Sequence, residues 1–313
     1  MDIVLDFADQ YLLDAVYAKF VPAVNASIFA SPRSQWSSKI LSLLPTPAPE
    51  LLDTVAPASA WPRSYLPRQI LSLSVLTLLG IHLLYFLIAG LAYEFVFNHE
   101  MRKHPRFLKD QERLEIASSL RAFPAIMVLT VPWFLAEVRG HSRLYDGVDT
   151  YGYAYLFFSA PLFLLFTDYC IYWIHRWLHI PAVYKRLHKP HHKWIIPTPW
   201  ASHAFHPLDG YLQGVPYHLF VFILPLHRVL YLALFVFVNV WTIFIHDSDM
   251  IVGHPLEKVI NGPAHHTLHH IYFTCNYGQY FTWADRAGNS YRQPESHLDP
   301  LLEVHALENT KVE

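Results

Sequence analysis

The sequence is poor in charged residues and has only two cysteines. Charged residues make up 15% of its 313 residues and hydrophobic ones 53%, whereas a soluble domain has about 25% charged residues. This deficit indicates a membrane protein. Lysine and arginine together number 23 against 25 acidic residues, and no basic block is present, so we do not expect nucleic acid as a partner.

Several common kinds of site are missing. The cysteines, Cys170 and Cys275, are too few for a disulfide framework or a cysteine-type zinc site. The sequence contains no G-x-G-x-x-G dinucleotide motif and no serine nucleophile elbow. It opens on an amphipathic stretch that does not resemble a signal peptide. A redox reaction on this chain would therefore take its electrons from a separate protein.

Long apolar runs are present, and they predict an all-α, polytopic membrane protein. Residues 70–97 and 154–174 are each long enough to cross a bilayer core, which needs about 20 residues. The run 122–138 is shorter than the other two and includes Pro124 and Pro132. We therefore predict two good spans and one marginal span among these three runs.

Basic residues indicate how these runs are oriented. They are concentrated in 98–121 and 175–214, and only two lie in 139–153, so the positive-inside rule places the first two segments in the cytosol. The last apolar run, 215–245, is interrupted at 225–228 and predicts a helical hairpin, or two short tilted spans, returning the chain to the same side. The histidine groups described below would then share the cytosolic face of the membrane.

We divide the chain into three parts. Residues 1–69 are predicted to form amphipathic helices followed by a proline-rich linker. Residues 70–294 are predicted to form a membrane-embedded catalytic domain, and residues 295–313 a short polar tail. Four apolar residues mark the N-terminal helices at helical spacing: Leu12, Val16, Phe20 and Val24.

Nine of the 21 histidines lie in three tight groups beside the apolar runs. Neutral imidazole is the commonest protein ligand for transition metals, and a spacing of three or four residues puts two rings on one face of a helix. The rings outnumber the four ligands of one tetrahedral zinc, so we predict two metals, which could be zinc, copper, iron or nickel. Eight of the nine are predicted ligands: His175, His179, His188, His191, His192, His266, His269 and His270.

Other residues near these groups have open roles. His246 ends the predicted hairpin on the same face and is predicted to be a further ligand. His203 and His206 could each bind metal, shape the cleft or cap a turn, and we include His206 rather than His203 among the ligands. His265 is predicted to be a bystander, since the repeated spacing is complete without it. Asp168 lies inside a span, where it either accepts a hydrogen bond from a ligand ring or makes a polar contact between helices.

The three groups read HxxxH, HxxHH and HxxHH, and they resemble the boxes of the fatty acid hydroxylase / sterol desaturase superfamily. Within it, the chain is most similar to the fungal sterol C-5 desaturases. Two departures lie behind the third box: Trp283 is displaced by one place, and Asn289 stands where a glycine is common. Four segments carry the closer resemblance: 198–218, 238–247, 261–282 and 285–294.

This resemblance implies a multi-pass enzyme of the endoplasmic reticulum membrane that introduces the 5,6 double bond into a 7-ene sterol such as episterol, in ergosterol biosynthesis. It implies two iron ions, which zinc could replace in a purified form, together with dioxygen. Electrons would come from NAD(P)H through cytochrome b5 and its reductase. The eight box histidines would be the catalytic ligands, and His246 and His206 match family histidines outside the boxes.

Two other functions stay open on the residues alone. A hydroxylase of the same superfamily, acting on a sterol methyl group or a lipid acyl chain, would use the same boxes because the two reactions diverge only after the first hydrogen abstraction. A membrane metal-binding or transport protein would also hold metals. Transport sites usually lie near the bilayer midplane, whereas these histidine groups flank the apolar runs.

Overall fold

The computed structural model describes residues 1–23 and 59–310, which are mostly helical. They divide into two compact units. The first consists of Met1–Leu79 and Thr130–His141, and the second of Gly80–Leu129 and Ser142–Glu313. The second unit contains every residue of the predicted metal site.

The N-terminal segment is helical, as its apolar spacing predicts. Helix α1 (Asp2–Ala8) continues through a π-helical turn, Asp9–Leu13, into α2 (Asp14–Phe20). Of the four apolar residues used in that prediction, the first three are exposed on this helix and Val24 lies outside the described residues. Exposed apolar side chains at helical spacing are typical of a surface-lying amphipathic helix.

A buried ion-pair group holds the start of the next helix in the first unit. Arg68, which is 2% exposed, donates from Nη2 to Asp9 at 2.6 Å and to Asp14 at 2.5 Å. Arg63 also donates to Asp14, at 2.6 Å. Because a buried charge is costly unless it is paired, these contacts offset the cost of burying the Arg68 charge where α3 (Leu66–Leu84) begins.

Within the described ranges, three helical segments are long and apolar enough to cross a membrane. The first is α3, which passes through a π-helical turn, Tyr85–Ala89, into α4 (Gly90–Phe95). The second is α5 (Gln111–Val138) and the third is α6 (Gly152–Leu178). The predictions of spans at 70–97 and 154–174 are confirmed.

The span predicted at 122–138 is present but is longer than the marginal length predicted for it. Helix α5 has 28 residues and is continuous through Pro124 and Pro132. It begins eleven residues before the apolar run because its first turns are built from charged and polar residues with high helix propensity. The basic loop predicted at 98–121 therefore ends at Asp110, where a positive φ of 55° precedes the helix.

The predicted helical hairpin is confirmed. Helices α8 (Pro207–Ile223) and α9 (Arg228–Phe244) have 17 residues each, and the chain turns between them. There β2 (Leu226–His227) pairs in parallel with β1 (Leu144–Tyr145). Buried apolar side chains of α6, α8 and α9 form the main core of the second unit, so this hairpin is fixed against the helix that carries the first histidine group.

Short elements complete the second unit. Helix α7 (Pro181–Val183) leads into a π-helical turn, Tyr184–His188, directly after α6. Later come α10 (Pro263–Tyr272), α11 (Trp283–Ala287) and α12 (Leu301–Asn309). The first and second of these later helices are joined by a loop that packs on α6, and this loop contributes to the metal site.

Candidate metal centre

Each predicted histidine group lies at the end of a helix or in a tight turn. His175 is in the last turn of α6, and His179 is its C-terminal cap. His188 ends the π-helical turn that follows, and His191 and His192 lie in the next turn. The third group lies on α10, which starts with a proline at a position that tolerates it. Short helices and turns thus bring together rings that are far apart in the sequence.

The structure gathers nine histidines into two groups, and within each group the ligand nitrogens lie within 4.8 Å of one another. We call them the five-histidine group and the four-histidine group. The five-histidine group consists of His175, His179, His188, His192 and His269. The four-histidine group consists of His191, His246, His266 and His270.

Adjacent histidines are divided between the two groups. His191 belongs to the four-histidine group and His192 to the five-histidine group. Likewise, His270 and His269 belong to different groups. Their ring planes are inclined at 73° and 89° respectively. The two adjacent pairs therefore hold the two groups side by side.

The nitrogens within each group are separated as ligands of one ion would be. Neighbouring Nε2 atoms of the five-histidine group are 3.0–3.1 Å apart. Those of the four-histidine group are 3.0–3.3 Å apart. At a metal–nitrogen distance of about 2.1 Å, ligands at right angles are about 3.0 Å apart and tetrahedral ligands about 3.4 Å apart.

Backbone carbonyls fix the tautomer of four of these rings. A carbonyl oxygen can only accept, so each Nδ1 carries the proton and each Nε2 presents a lone pair. The donor–acceptor distances are 2.6–2.9 Å. The four pairs are His175 with Tyr277, His246 with Thr242, His269 with Cys275, and His270 with Trp194.

A carboxylate fixes a fifth ring. His188 donates from Nδ1 to Oδ2 of Asp209 at 2.7 Å, and both side chains are fully buried. The other oxygen of Asp209 accepts from Gln213 at 2.7 Å. When both rings are neutral, the Nε2 atoms of His188 and His175 each carry a lone pair, and yet they are 3.0 Å apart. Two lone pairs at that distance repel each other unless a cation lies between them, so the donor set fits a metal ion.

The charge state of the rings also suits metal binding. Burial, with the neighbouring imidazoles as the next cause, lowers the pKa of His191, His192 and His269 well below the usual value. Burial lowers the pKa of His246 to about 4. These four rings are neutral at pH 7, as ligands must be. A set of imidazoles without a carboxylate ligand suits transition metals and not magnesium or calcium, which prefer oxygen.

Of the ten predicted metal ligands, His206 is the one that the structure leaves outside both groups. Its Nδ1 accepts a hydrogen bond from the backbone N–H of Leu208 at 3.2 Å and caps the start of α8. His203 also lies outside the groups. Its Nδ1 is 3.0 Å from the hydroxyl of Ser202, and its Nε2 is 3.5 Å from Oδ1 of Asn239. His265, predicted to be a bystander, is buried but belongs to neither group.

Asp168 has a different role from either of the two predicted for it. Its Oδ1 accepts from the backbone N–H groups of Gln279, Tyr280 and Phe281 at 2.7–3.3 Å. It contacts neither a ligand ring nor a polar side chain of another helix among the described hydrogen bonds. It anchors the loop between α10 and α11 to α6.

Three acidic residues that the sequence did not single out support the site. Asp209 orients His188, as described above. Asp285 accepts from the backbone N–H groups of Tyr277 and Gly278 at 2.9 and 2.8 Å, and so holds the carbonyl that orients a ligand ring. Glu115 is fully buried on α5 and accepts from Gln111 and from the hydroxyl of Thr198. The carboxylate of Glu115 thus fixes the loop that leads out of the second box.

The departures behind the third box leave this support in place. Asp285 also accepts from the hydroxyl of Ser290 at 2.8 Å. Asn289 has a positive φ of 55°, a conformation that asparagine adopts more readily than other non-glycine residues. Trp283 is 41% exposed and stacks on Tyr169 with ring centroids 5.4 Å apart. The displaced tryptophan therefore lies on the surface and not among the ligands.

Comparison with known proteins places the chain in a family. A model of the fatty acid hydroxylase family matches residues 160–290, which include every histidine of both groups. A Delta(7)-sterol 5(6)-desaturase from Gibberella zeae is 49% identical over 307 residues, which cover 97% of this chain and 93% of the relative. The chain belongs to the Delta(7)-sterol 5(6)-desaturase family.

Further relatives agree with this assignment. A Delta(7)-sterol 5(6)-desaturase from Aspergillus fumigatus is 49% identical over 321 residues, covering 96% of this chain and 92% of the relative. Human lathosterol oxidase is 55% identical over 244 residues, which cover 77% of this chain and 81% of the relative. No solved structure shows a significant match to the chain. The resemblance to sterol C-5 desaturases and the helical membrane fold class, both predicted from the sequence, are confirmed.

Proposed function

We propose that this protein is a sterol C-5 desaturase that introduces the 5,6 double bond into a 7-ene sterol. The observation that carries the proposal is the pair of imidazole groups, in a chain that matches Delta(7)-sterol 5(6)-desaturases along almost its full length. We further propose that the two groups hold two iron ions. The proposed ligands are the nine histidines of the two groups, without His206. Bound iron would supply the activation of dioxygen that removal of hydrogen from an unactivated C–H bond requires.

The electron balance of this reaction requires an external donor. Reducing one dioxygen to two waters takes four electrons and four protons. The sterol supplies two of each as it loses two hydrogens, and two electrons and two protons must come from elsewhere. The chain has no dinucleotide motif, which supports the proposal that NAD(P)H acts through cytochrome b5 and its reductase.

The residues of the chain would hold the metals and keep water away from them. Eight of the nine rings are at most 6% exposed, His179 being the ninth. Asp209 keeps His188 in the tautomer that presents Nε2, and backbone carbonyls do the same for four other rings. A dry, rigid site protects a reactive centre from side reactions.

We propose the endoplasmic reticulum membrane as the location, with the histidine boxes on its cytosolic face. Three helical segments long enough to span a membrane precede His179, so residues 1–69 would lie in the lumen. The sequence Asn25-Ala26-Ser27 is a glycosylation acceptor in that part of the chain. Glycosylation at Asn25 in microsomes, abolished by Asn25→Gln, is expected. If Asn25 is unmodified and an acceptor introduced into 98–110 is glycosylated, the topology is the opposite of the one proposed.

Complementation tests the function directly. Expression in a strain that lacks sterol C-5 desaturase is expected to restore 5,7-diene sterols, measured by mass spectrometry. His191→Ala and His269→Ala should abolish the product, whereas His297→Gln, at a 69% exposed side chain, should not. A hydroxylated sterol without the 5,7-diene would show a hydroxylase instead. Exchangeable zinc with no sterol product would show a metal-binding or transport protein.

A further inference from the structure

An open cleft of about 430 Å³ reaches the metal centre at one ligand. His192, a member of the five-histidine group, forms part of its wall. Phe273 and Tyr184 pack against the His192 ring, with centroids 4.9 and 5.8 Å away. The full lining is Tyr184, Lys185, Lys189, Pro190, His192, Lys193 and Phe273. The cleft therefore has an apolar floor that ends at a ring of the metal site.

His192 lies between the cleft and the other rings of the five-histidine group. Its Nε2 lies 3.0–3.1 Å from the Nε2 atoms of His179, His188 and His269. Its Nδ1, on the opposite side of the ring, has no hydrogen-bond partner among the described residues. The side chain as a whole is only 3% exposed. A molecule in the cleft would thus be separated from the other four rings of the five-histidine group by the His192 ring.

The rim of the cleft carries charge of one sign. Lys185, Lys189 and Lys193 are exposed, and no acidic residue lines the cleft. Within the described part of the chain, none of the three lysines forms an ion pair with another side chain. Arg186, next to the first of them, is also exposed. An apolar floor surrounded by a charged rim is the arrangement found at protein–protein interfaces.

We infer that this cleft is the docking surface for an acidic one-electron carrier protein, which delivers its electrons to the metal centre through His192. The inference rests on the proposed function, because that reaction needs two electrons from an external donor. Each docking would oxidise the carrier by one electron, which metal bound by the histidines would accept. Two dockings supply the two electrons of a turnover, and the two protons come from water.

Charge complementarity explains why the lysines surround this cleft. A positive rim steers an acidic partner and raises its association rate, and this effect weakens as salt increases. A phospholipid headgroup could also contact exposed lysines at a membrane surface. It would have no need of an apolar floor leading to a metal ligand, so the geometry favours a protein partner.

Stopped-flow oxidation of reduced cytochrome b5 by the purified, metal-loaded enzyme tests the inference. Charge reversal of two rim residues, in Lys189→Glu/Lys193→Glu, is expected to lower the second-order rate constant at least about tenfold at low salt. It should also remove the salt dependence seen with the wild type. Lys189→Arg/Lys193→Arg should retain the wild-type rate. The matched control is Lys109→Glu/Arg113→Glu, at exposed positions outside the cleft, and it should be unchanged.

Further measurements separate the explanations. Metal content, thermal stability and reduction by dithionite should be equal in all variants, because the rim does not bind the metals. An unchanged rate of cytochrome b5 oxidation in the Lys189→Glu/Lys193→Glu variant would overturn the inference. So would a variant that loses only its binding to anionic lipid vesicles. If the wild type accepts electrons but makes no 5,7-diene, the proposed function fails while the docking surface stands.

Discussion

His188 donates a hydrogen bond from Nδ1 to Oδ2 of Asp209 at 2.7 Å, and neither side chain is exposed. Among the described residues, Asp209 is the only acid whose carboxylate contacts a ring of the five-histidine group or the four-histidine group. It stabilises the tautomer in which Nε2 faces the other ligands, and it makes the ring more basic. The pair links α8 to the turn that carries the second histidine box.

Replacing this carboxylate by an amide should weaken metal binding without unfolding the protein. Asp209→Asn keeps the size of the side chain but removes the negative charge, so we expect a 10–100-fold loss of metal affinity. Metal content measured by mass spectrometry during competition with a chelator checks this. Asp146→Asn, at an acid on the surface that pairs with Arg228, is the control. Equal metal retention in both variants would show that Asp209 does not act on the metal site.

The two histidines predicted outside the boxes should behave differently. His246→Gln removes a member of the four-histidine group, and we expect loss of metal from that group. His206→Gln removes a helix cap and not a ligand, so metal content should stay at the wild-type level, with at most about 1–2 kcal/mol lost in stability. Metal-to-protein ratios of the two purified variants decide the question. Loss of metal from His206→Gln would restore that residue to the ligand set.

Gly288 should not tolerate a side chain. A Cβ at this position would lie 1.8 Å from the hydroxyl oxygen of Tyr172 and 2.7 Å from a guanidinium nitrogen of Arg176. Overpacking of this kind costs about 1–3 kcal/mol, so Gly288→Ala should lower the thermal midpoint by several degrees in detergent. Gly214→Ala is the control, because nothing lies within 4 Å of its added Cβ. Equal midpoints for the two variants would contradict this account of the packing.

The metal-free protein should become less stable as the pH falls. Burial lowers the pKa of His203 and His265 to about 4, whereas an unfolded histidine has a pKa of about 6.5. Between these values the unfolded chain binds more protons than the folded one, so stability decreases as the pH decreases. Thermal midpoints measured between pH 7 and pH 4 should fall, and fall less in His203→Gln. A midpoint that does not change with pH would be inconsistent with neutral buried histidines.

The grouping of the histidines could be predicted because its signal is local. A histidine pair such as His175 and His179 repeats at helical spacing, and this spacing can be read without the fold. His246 has no histidine neighbour, and its prediction depended on recognising that a hairpin returns the chain to the same side. The structure brings the box histidines and His246 together, as the sequence predicts.

The supporting residues could not be predicted because their contacts join distant segments. Asp285 acts through the backbone of Tyr277 on a ring that lies more than a hundred residues earlier in the chain. Glu115 was assigned to a basic loop, since apolar content alone does not show that α5 begins at Gln111. His206 has the same imidazole side chain as the other histidines. Only its contact with the backbone N–H of Leu208 at the start of α8 shows that it caps the helix.

The division of adjacent histidines between the two groups has a consequence for how the site fills. Neighbouring Cα atoms are always about 3.8 Å apart, so His191 with His192, and His269 with His270, fix the spacing of the two groups by covalent geometry. An ion that orders one group also orders the backbone that carries ligands of the other. Metal uptake should therefore be cooperative, with chains that hold a single ion scarce during titration and both ions released together.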